Sequence, residues 1–368
     1  MNSSKYVFPK IVKSAAVALI SLSASIASAQ TTHSIFPMQP PSVSTIPGNG
    51  DVNPYGVAFA PKNVPAGGIL QPGDILVSNF NNSQNLQGTG TTILRVDKAG
   101  ITSTFYASPS SRGGLSAALG VLSDGIVLIG NLPTIDGTPA TVQPGNLSVI
   151  NSAGQFLGTF GTVSTLNGPW GMAVHDTGNG VTGTANVFVS NVLSGSISRF
   201  DVSYNPQNIS AGVLTLATGF SHRVDIAALV LGPAGLAYDA AHDILYVSSS
   251  ADNAIYQIPN AAAPHTTPVM PALLVSDPVH LHGPLDLSIL PNGHLVVANS
   301  DGSNVDPNQP SELVEYTAAG QFLGQMSIDP NNGGAFGLAV NNMSWGTFKM
   351  AYVDDNANKL NIVTAVAQ

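Results

Sequence analysis

The chain has no cysteine, so no disulfide can brace it. With 368 residues it can bury a sufficient core without one. Charge is also scarce. Only 8% of residues are charged, against about 25% in ordinary domains. Glutamate occurs only as Glu312 and Glu315. Lys and Arg number 11 against 20 Asp and Glu, leaving a net charge of −9. A nucleic-acid partner needs a basic footprint, which this balance argues against. Helical periodicity is absent. No Gly-x-Ser-x-Gly elbow, cysteine nucleophile or phosphate-cradling glycine loop is present.

The first 29 residues have the pattern of an export leader. Lys5, Lys10 and Lys13 give a basic start, and Ala15–Ile26 is apolar. Ala27-Ser28-Ala29 has the small residues of a cleavage site, so cleavage is expected before Gln30. A retained anchor is the alternative, but it needs about 20 apolar residues. Losing three lysines takes the net charge from −9 to −12. No later stretch is apolar enough to span a bilayer. The expectation is a periplasmic or extracellular protein whose residues 30–368 form one domain, acting as a monomer.

What the chain has in abundance is repetition. Gly168-Pro169-Trp170-Gly171-Met172-Ala173 precedes Val187-Phe188-Val189-Ser190-Asn191. The same phrase returns as Asn53–Ala58 before Asp74–Asn79, Gly232–Ala237 before Ile244–Ser249, and Gly283–Leu287 before His294–Asn299. Each phrase is a turn, an apolar strand, a loop, a second apolar strand and a polar stop. The stops are Asn79, Asn131, Asn191, Ser249, Asn299 and Asp354, spaced 52, 60, 58, 50 and 55 residues apart. Such a period fixes the architecture. It predicts an all-β, six-bladed β-propeller of four-stranded antiparallel blades. The sixth repeat is one strand short. Ser42–Ile46 alternates like a strand and has no partner of its own, so it is expected to complete the last blade and close the ring. Val187, Val189, Leu245, Val247, Leu295 and Val297 are expected to be buried between blades. A β-helix is the structural rival, but its coils are shorter.

The motif resembles the NHL repeat, with Pro-x-Gly-aliphatic-Ala on the inner strand and an aliphatic-Asp/Asn stop on the second. The resemblance runs through residues 30–368. It implies either a binding platform or a metal-dependent hydrolase or lyase, as in gluconolactonase-like, paraoxonase-like, amidating-lyase and virginiamycin-lyase propellers. A lactonase of the gluconolactonase type would use an early acidic ligand, typically Glu, and none stands there.

Three sets of residues are candidates for chemistry. The six stops should ring one mouth of the channel with oxygens suited to Ca²⁺; alternatively, each Asn bonds its own turn. His222, His280 and His282 fall in segments leading into blades four and five. Together they could hold Zn²⁺ with an open position for water. Arg223 could steady a developing oxyanion, and Asp225 or Asp286 could orient a histidine. Polar loop residues lining a binding mouth are the alternative. Asp301–Glu312 begins and ends like a calcium loop, but Val305 and Asp306 stand where that loop needs an oxygen ligand and Gly. The expected working face is therefore the mouth bordered by His222, Arg223, His280, His282, Asn191, Asn299 and Trp170, with Asn79 and Asn131 beside it. The opposite face, with tight turns such as Pro291-Asn292-Gly293, is expected to leave little room for a site. The function expected is binding a small molecule, a glycan or a protein at that mouth, or metal-dependent catalysis there with Zn²⁺ or Ca²⁺.

Overall fold

The computed structural model describes residues 34–36, 38, 40–300 and 302–367. The segment expected to be an export leader, residues 1–29, lies outside the described residues. So does Asp301, the first residue of the calcium-like loop. Strand β1 is Ser42–Ser44. Blade 1 is β2 (Val52–Phe59), β3 (Ile75–Asn81), β4 (Thr92–Val96) and β5 (Thr102–Ala107). Blade 2 is β6 (Leu115–Val121), β7 (Val127–Asn131), β8 (Leu147–Ile150) and β9 (Phe156–Phe160). Blade 3 is β10 (Pro169–Asp176), β11 (Gly183–Asn191), β12 (Ser196–Asn205) and β13 (Asn208–Thr218). A hairpin of β14 (Arg223–Asp225) and β15 (Leu229–Leu231) follows. Blade 4 is β16 (Pro233–Asp239), β17 (Ile244–Ser249), β18 (Ala254–Pro259) and β19 (Ala272–Ser276). Blade 5 is β20 (Pro284–Ile289), β21 (Leu295–Asn299), β22 (Glu312–Tyr316) and β23 (Phe322–Ser327). Blade 6 is β24 (Ala335–Asn342), β25 (Thr347–Asp354) and β26 (Lys359–Val366), completed by β1.

The expected architecture is therefore met, including its closure. Ser42 pairs with Asn361, Val43 with Leu360 and Ser44 with Lys359. The two ends of the chain share one sheet, so an outer edge that would expose backbone donors is covered. No helix among the described residues is long and apolar enough to cross a membrane.

The core lies between blades. Middle-strand residues alternate, one face to each neighbouring sheet. Val187, Val189, Leu245, Val247, Leu295 and Val297 are all fully buried, as the repeat phase requires. The inner strands β2, β6, β10, β16, β20 and β24 are each an edge of their sheet and pack against one another around the axis. Their free edges face the channel.

Each inner strand has an irregularity near its start, between Pro54 and Val57 in blade 1 and between Pro169 and Met172 in blade 3. Glycine is needed there because the neighbouring blade comes close. A Cβ on Gly171 would strike the Ala234 carbonyl, and one on Gly235 would strike Asp286. The serine before the stop fastens this point. Ser190 Oγ accepts from Gly171 N at 2.8 Å and donates to the Ala234 carbonyl at 2.6 Å, joining blade 3 to blade 4. Ser78 does the same between blades 1 and 2, through Gly56 N at 2.9 Å and the Ser116 carbonyl at 2.8 Å.

Candidate functional site

The channel is open at one end only. At the end where the chain enters the inner strands, the residue after Pro54, Pro169, Pro233 and Pro284, and after Ala335 in blade 6, joins an apolar cluster. Tyr55, Trp170, Ala234, Leu285 and Phe336 come from five blades and share one apolar cluster with Phe80, Leu132, Val192 and Val230. Trp170 lies edge-on to Tyr55 at 5.2 Å and to Phe80 at 5.3 Å. Tyr55 meets Phe336 at 4.5 Å. Blades 1 and 3 are not neighbours, so the Trp170–Tyr55 contact spans the axis. Leu229 and Val230 of the β14–β15 hairpin complete this plug. The mouth expected here is thus filled. Five side chains that each look like a strand residue converge only when the ring closes.

The residues expected to form that mouth serve other ends. Trp170 is 1% exposed and belongs to the plug. Asn131 and Asn191 spend their side-chain oxygens on backbone N–H groups, whereas Asn79 Oδ1 and Asn299 Oδ1 are buried without a hydrogen-bond partner. The asparagines fasten their loops, mostly to the segment that leads into their own blade. Asn79 donates to the Thr45 carbonyl at 3.1 Å, Asn131 to Gly113 at 3.1 Å and Asn299 to His280 at 2.6 Å. Asn191 accepts from Asn167 N at 3.0 Å. Ser249 binds Asp252, and Asp354 accepts from Ala357 N. In Asn131 one amide joins two segments, donating to the Gly113 carbonyl and accepting from Asn146 N at 2.8 Å.

The histidines do not form a ligand set either. Among the described residues no three His, Asp or Glu side chains are placed to hold a metal ion. His280 stacks on Phe322 of the outer strand β23, with centroids 3.7 Å apart, and its Nδ1 bonds Asp277 at 2.7 Å. Phe322 draws that ring toward the rim and away from the axis. His282 Nε2 lies 3.3 Å from the Val279 carbonyl. His222 is exposed, with Nδ1 on the Phe220 carbonyl at 3.1 Å. Arg223 is exposed, 4.0 Å from Asp225. Among the described residues His222, His280 and His282 thus do not form the Zn²⁺ ligand set expected of them.

The open end is the opposite one. A cavity of about 940 Å³ extends from the plug to the turns that follow the inner strands. Its wall is one segment from each blade, and its rim includes Lys62, Asp176, Asp239, His242, Asn292 and Asn342. The turn Pro291-Asn292-Gly293, expected to leave no room, borders this opening. Tight turns do not block an axis that the whole ring holds open.

Deep in the wall stands Asp286. It occupies the position held by Gly56, Gly171, Gly235 and Gly337 in four other blades. Its partner on the second strand is Ala298, where blades 1, 3 and 4 have Ser78, Ser190 and Ser248. The carboxylate ties blade 5 to blade 6 by a bond of the opposite direction, accepting from a backbone N–H where the serines donate to a backbone carbonyl. One oxygen accepts from Leu287 N at 2.9 Å, and the other from Leu338 N of blade 6 at 2.9 Å. Burial raises its pKa to about 7, opposed in part by these two backbone bonds. The other carboxylates of the lining are engaged by side chains. Asp176 accepts from Ser123 and Tyr204, and Asp239 binds His242 at 2.6 Å. Sequence reading gave Asp286 only a supporting role. The signal was present: it is the one carboxylate within the repeated inner-strand motif, and its companion serine is lost in the same blade.

No protein-family model and no curated protein sequence matches the chain. Solved structures do. A gluconolactonase from Xanthomonas campestris is 11% identical over 89% of this chain and 90% of its own, with a TM-score of 0.54. A calcium-binding protein, regucalcin, from Agrobacterium tumefaciens is 13% identical over 86% of each chain, with a TM-score of 0.50. At such identity the likeness is one of fold. The chain is a six-bladed β-propeller, distantly similar in structure to these two.

Proposed function

We propose that this chain is an exported, NHL-type propeller that binds a small molecule or the end of a glycan or protein chain in its central channel. One observation carries the reading: a channel of about 940 Å³, sealed at one end by the aromatic plug and open at the other. Ligand sites are typically concave spaces of about 300–1,000 Å³ with a few placed polar groups. The free edges of six inner strands supply backbone donors and acceptors that a ligand can satisfy. Trp345 stands 95% exposed on the turn of blade 6, on the open face. An amphipathic ring there suits a larger ligand that projects from the channel.

The test is a thermal-shift panel of small molecules and oligosaccharides on wild type and Ser288→Trp. Ser288 lines the channel two residues from Asp286, on the same side of β20. A ligand that raises the wild-type melting temperature and leaves the variant unmoved supports channel binding. Equal shifts in both place the ligand elsewhere and defeat the reading. The export proposal rests on the leader, and amino-terminal sequencing of the mature protein should begin at Gln30.

Catalysis in the same channel is the second reading. Asp286 favours it, because a carboxyl poised near neutrality can act as general acid or base. Its test is turnover of any bound ligand that Asp286→Asn still binds but no longer converts.

A further inference from the structure

We propose that the channel is a receptor for a ligand bearing a protonated amine, which docks its ammonium on Asp286. This rests on the channel being the binding site. Three observations lead to it. First, the charge at Asp286 is surplus to the fold. In blades 1 and 3 a serine hydroxyl makes the stitch to the next blade. In blade 5 the bond is reversed, the carboxylate accepting from Leu338 N of the next blade; a neutral amide oxygen could accept it as well, and blade 5 carries an ionisable group. Second, among the described residues that group has no cationic partner. Its two bonds come from backbone N–H groups. Each oxygen keeps acceptor capacity toward the channel. A largely desolvated carboxylate without a counter-charge is costly even when partly exposed, and an arriving ammonium reduces that cost. Third, the approach favours cations. The protein is acidic, with a net charge of −9, and Asp176 and Asp239 stand at the rim. Such a field draws cations toward a cleft.

The other titratable groups of the lining are set apart from this position. Blade 4 contributes Tyr238, Asp239 and His242, blade 3 Asp176, and blade 1 Lys62. Blades 2 and 6 contribute none. Gly235 lies against Asp286, and Asp239 follows it by four residues, about 13 Å along a strand. Asp286 thus titrates in surroundings set by burial and its two backbone bonds. Its charge grows as pH rises through about 7, while an alkylamine stays protonated to about pH 10.

Calorimetry or NMR titration with n-hexylamine, n-hexanol and hexanoate tests this directly. In wild type at pH 8 the ammonium should bind at least about tenfold more tightly than the alcohol, and hexanoate should not bind. Lowering the pH from 8 to 6 should weaken the ammonium about tenfold and leave the alcohol unchanged. Asp286→Asn should erase the preference for the ammonium, and Ser288→Trp should abolish binding of both probes. If amine and alcohol bind wild type equally and without pH dependence, the inference is overturned, while loss of both in Ser288→Trp would leave the channel reading standing. If neither probe binds wild type, the inference is overturned as well. The wild-type comparison needs no variant, so a variant that fails to fold does not shelter the proposal.

Discussion

At the scale of single residues, two side chains decide what the channel is. Trp170 closes it and Asp286 gives it charge. Trp170→Ala would leave a cavity in a plug assembled from five blades, and should cost about 3–5 kcal/mol of stability in denaturant unfolding. A loss under about 1 kcal/mol would show that the plug repacks freely. Asp355 offers a test of burial. It accepts from Asn53 at 2.9 Å, and desolvation, aided by the nearby Asp354 charge, raises it to about 8. Its unfolded value is near 4. Between these values the folded state holds the proton and the unfolded state does not, so this group's contribution falls as pH rises and is flat above about 8. Asp355→Asn should therefore gain stability relative to wild type between pH 5 and pH 8, by about 1–2 kcal/mol after allowing for partial exposure. A gap between the two melting curves that does not change with pH would contradict this. Asp286 was visible in sequence as a departure from a repeated motif. What the departure meant was not visible, because the Leu338 N–H that holds the carboxylate lies 52 residues away.

At the scale of elements, the segment before β1 is held by a buried charged group. Glu315 of β22 accepts from Ser34 Oγ and Ile35 N, both at 2.8 Å, and pairs with His294 Nδ1 at 2.8 Å. Both Glu315 and His294 are fully buried. Glu315→Ala strands the imidazole and releases the segment, so it should destabilise by about 3–5 kcal/mol. Limited proteolysis should then cut ahead of Ser42 while the blades stay intact. An unaltered cleavage pattern would refute the anchoring role. The strands themselves were legible: alternation along β11, β17 and β21 fixed their buried face and their ends at Asn191, Ser249 and Asn299, though β11 starts three residues before the Asn186 that alternation suggests. The β14–β15 hairpin was not, because its three-residue strands carry no period to read.

At the scale of the whole molecule, closure is the central event. The ring is sealed by β1 on β26, between residues more than 300 positions apart. Deleting Thr31–Ile46 should lower the melting temperature by well over 5 °C and promote aggregation, since β26 would become a bare edge. A melting curve that matches the full chain would show that the ring holds without its clasp.

The sequence by itself determined the blade count, the strand phase and the clasp, because each depends on local alternation and on a period repeated along the chain. It determined none of the axial geometry. Which end is plugged and which is open depends on side chains from five blades meeting at one axis, as Trp170 meets Tyr55. The place of each histidine was likewise decided in three dimensions. His280 is drawn outward by Phe322, a neighbour 42 residues later in the chain that only the folding of blade 5 brings beside it. Burial and blade-to-blade hydrogen bonds exist only in the closed ring, and they gave Asp286 its charge balance and the channel its single open end.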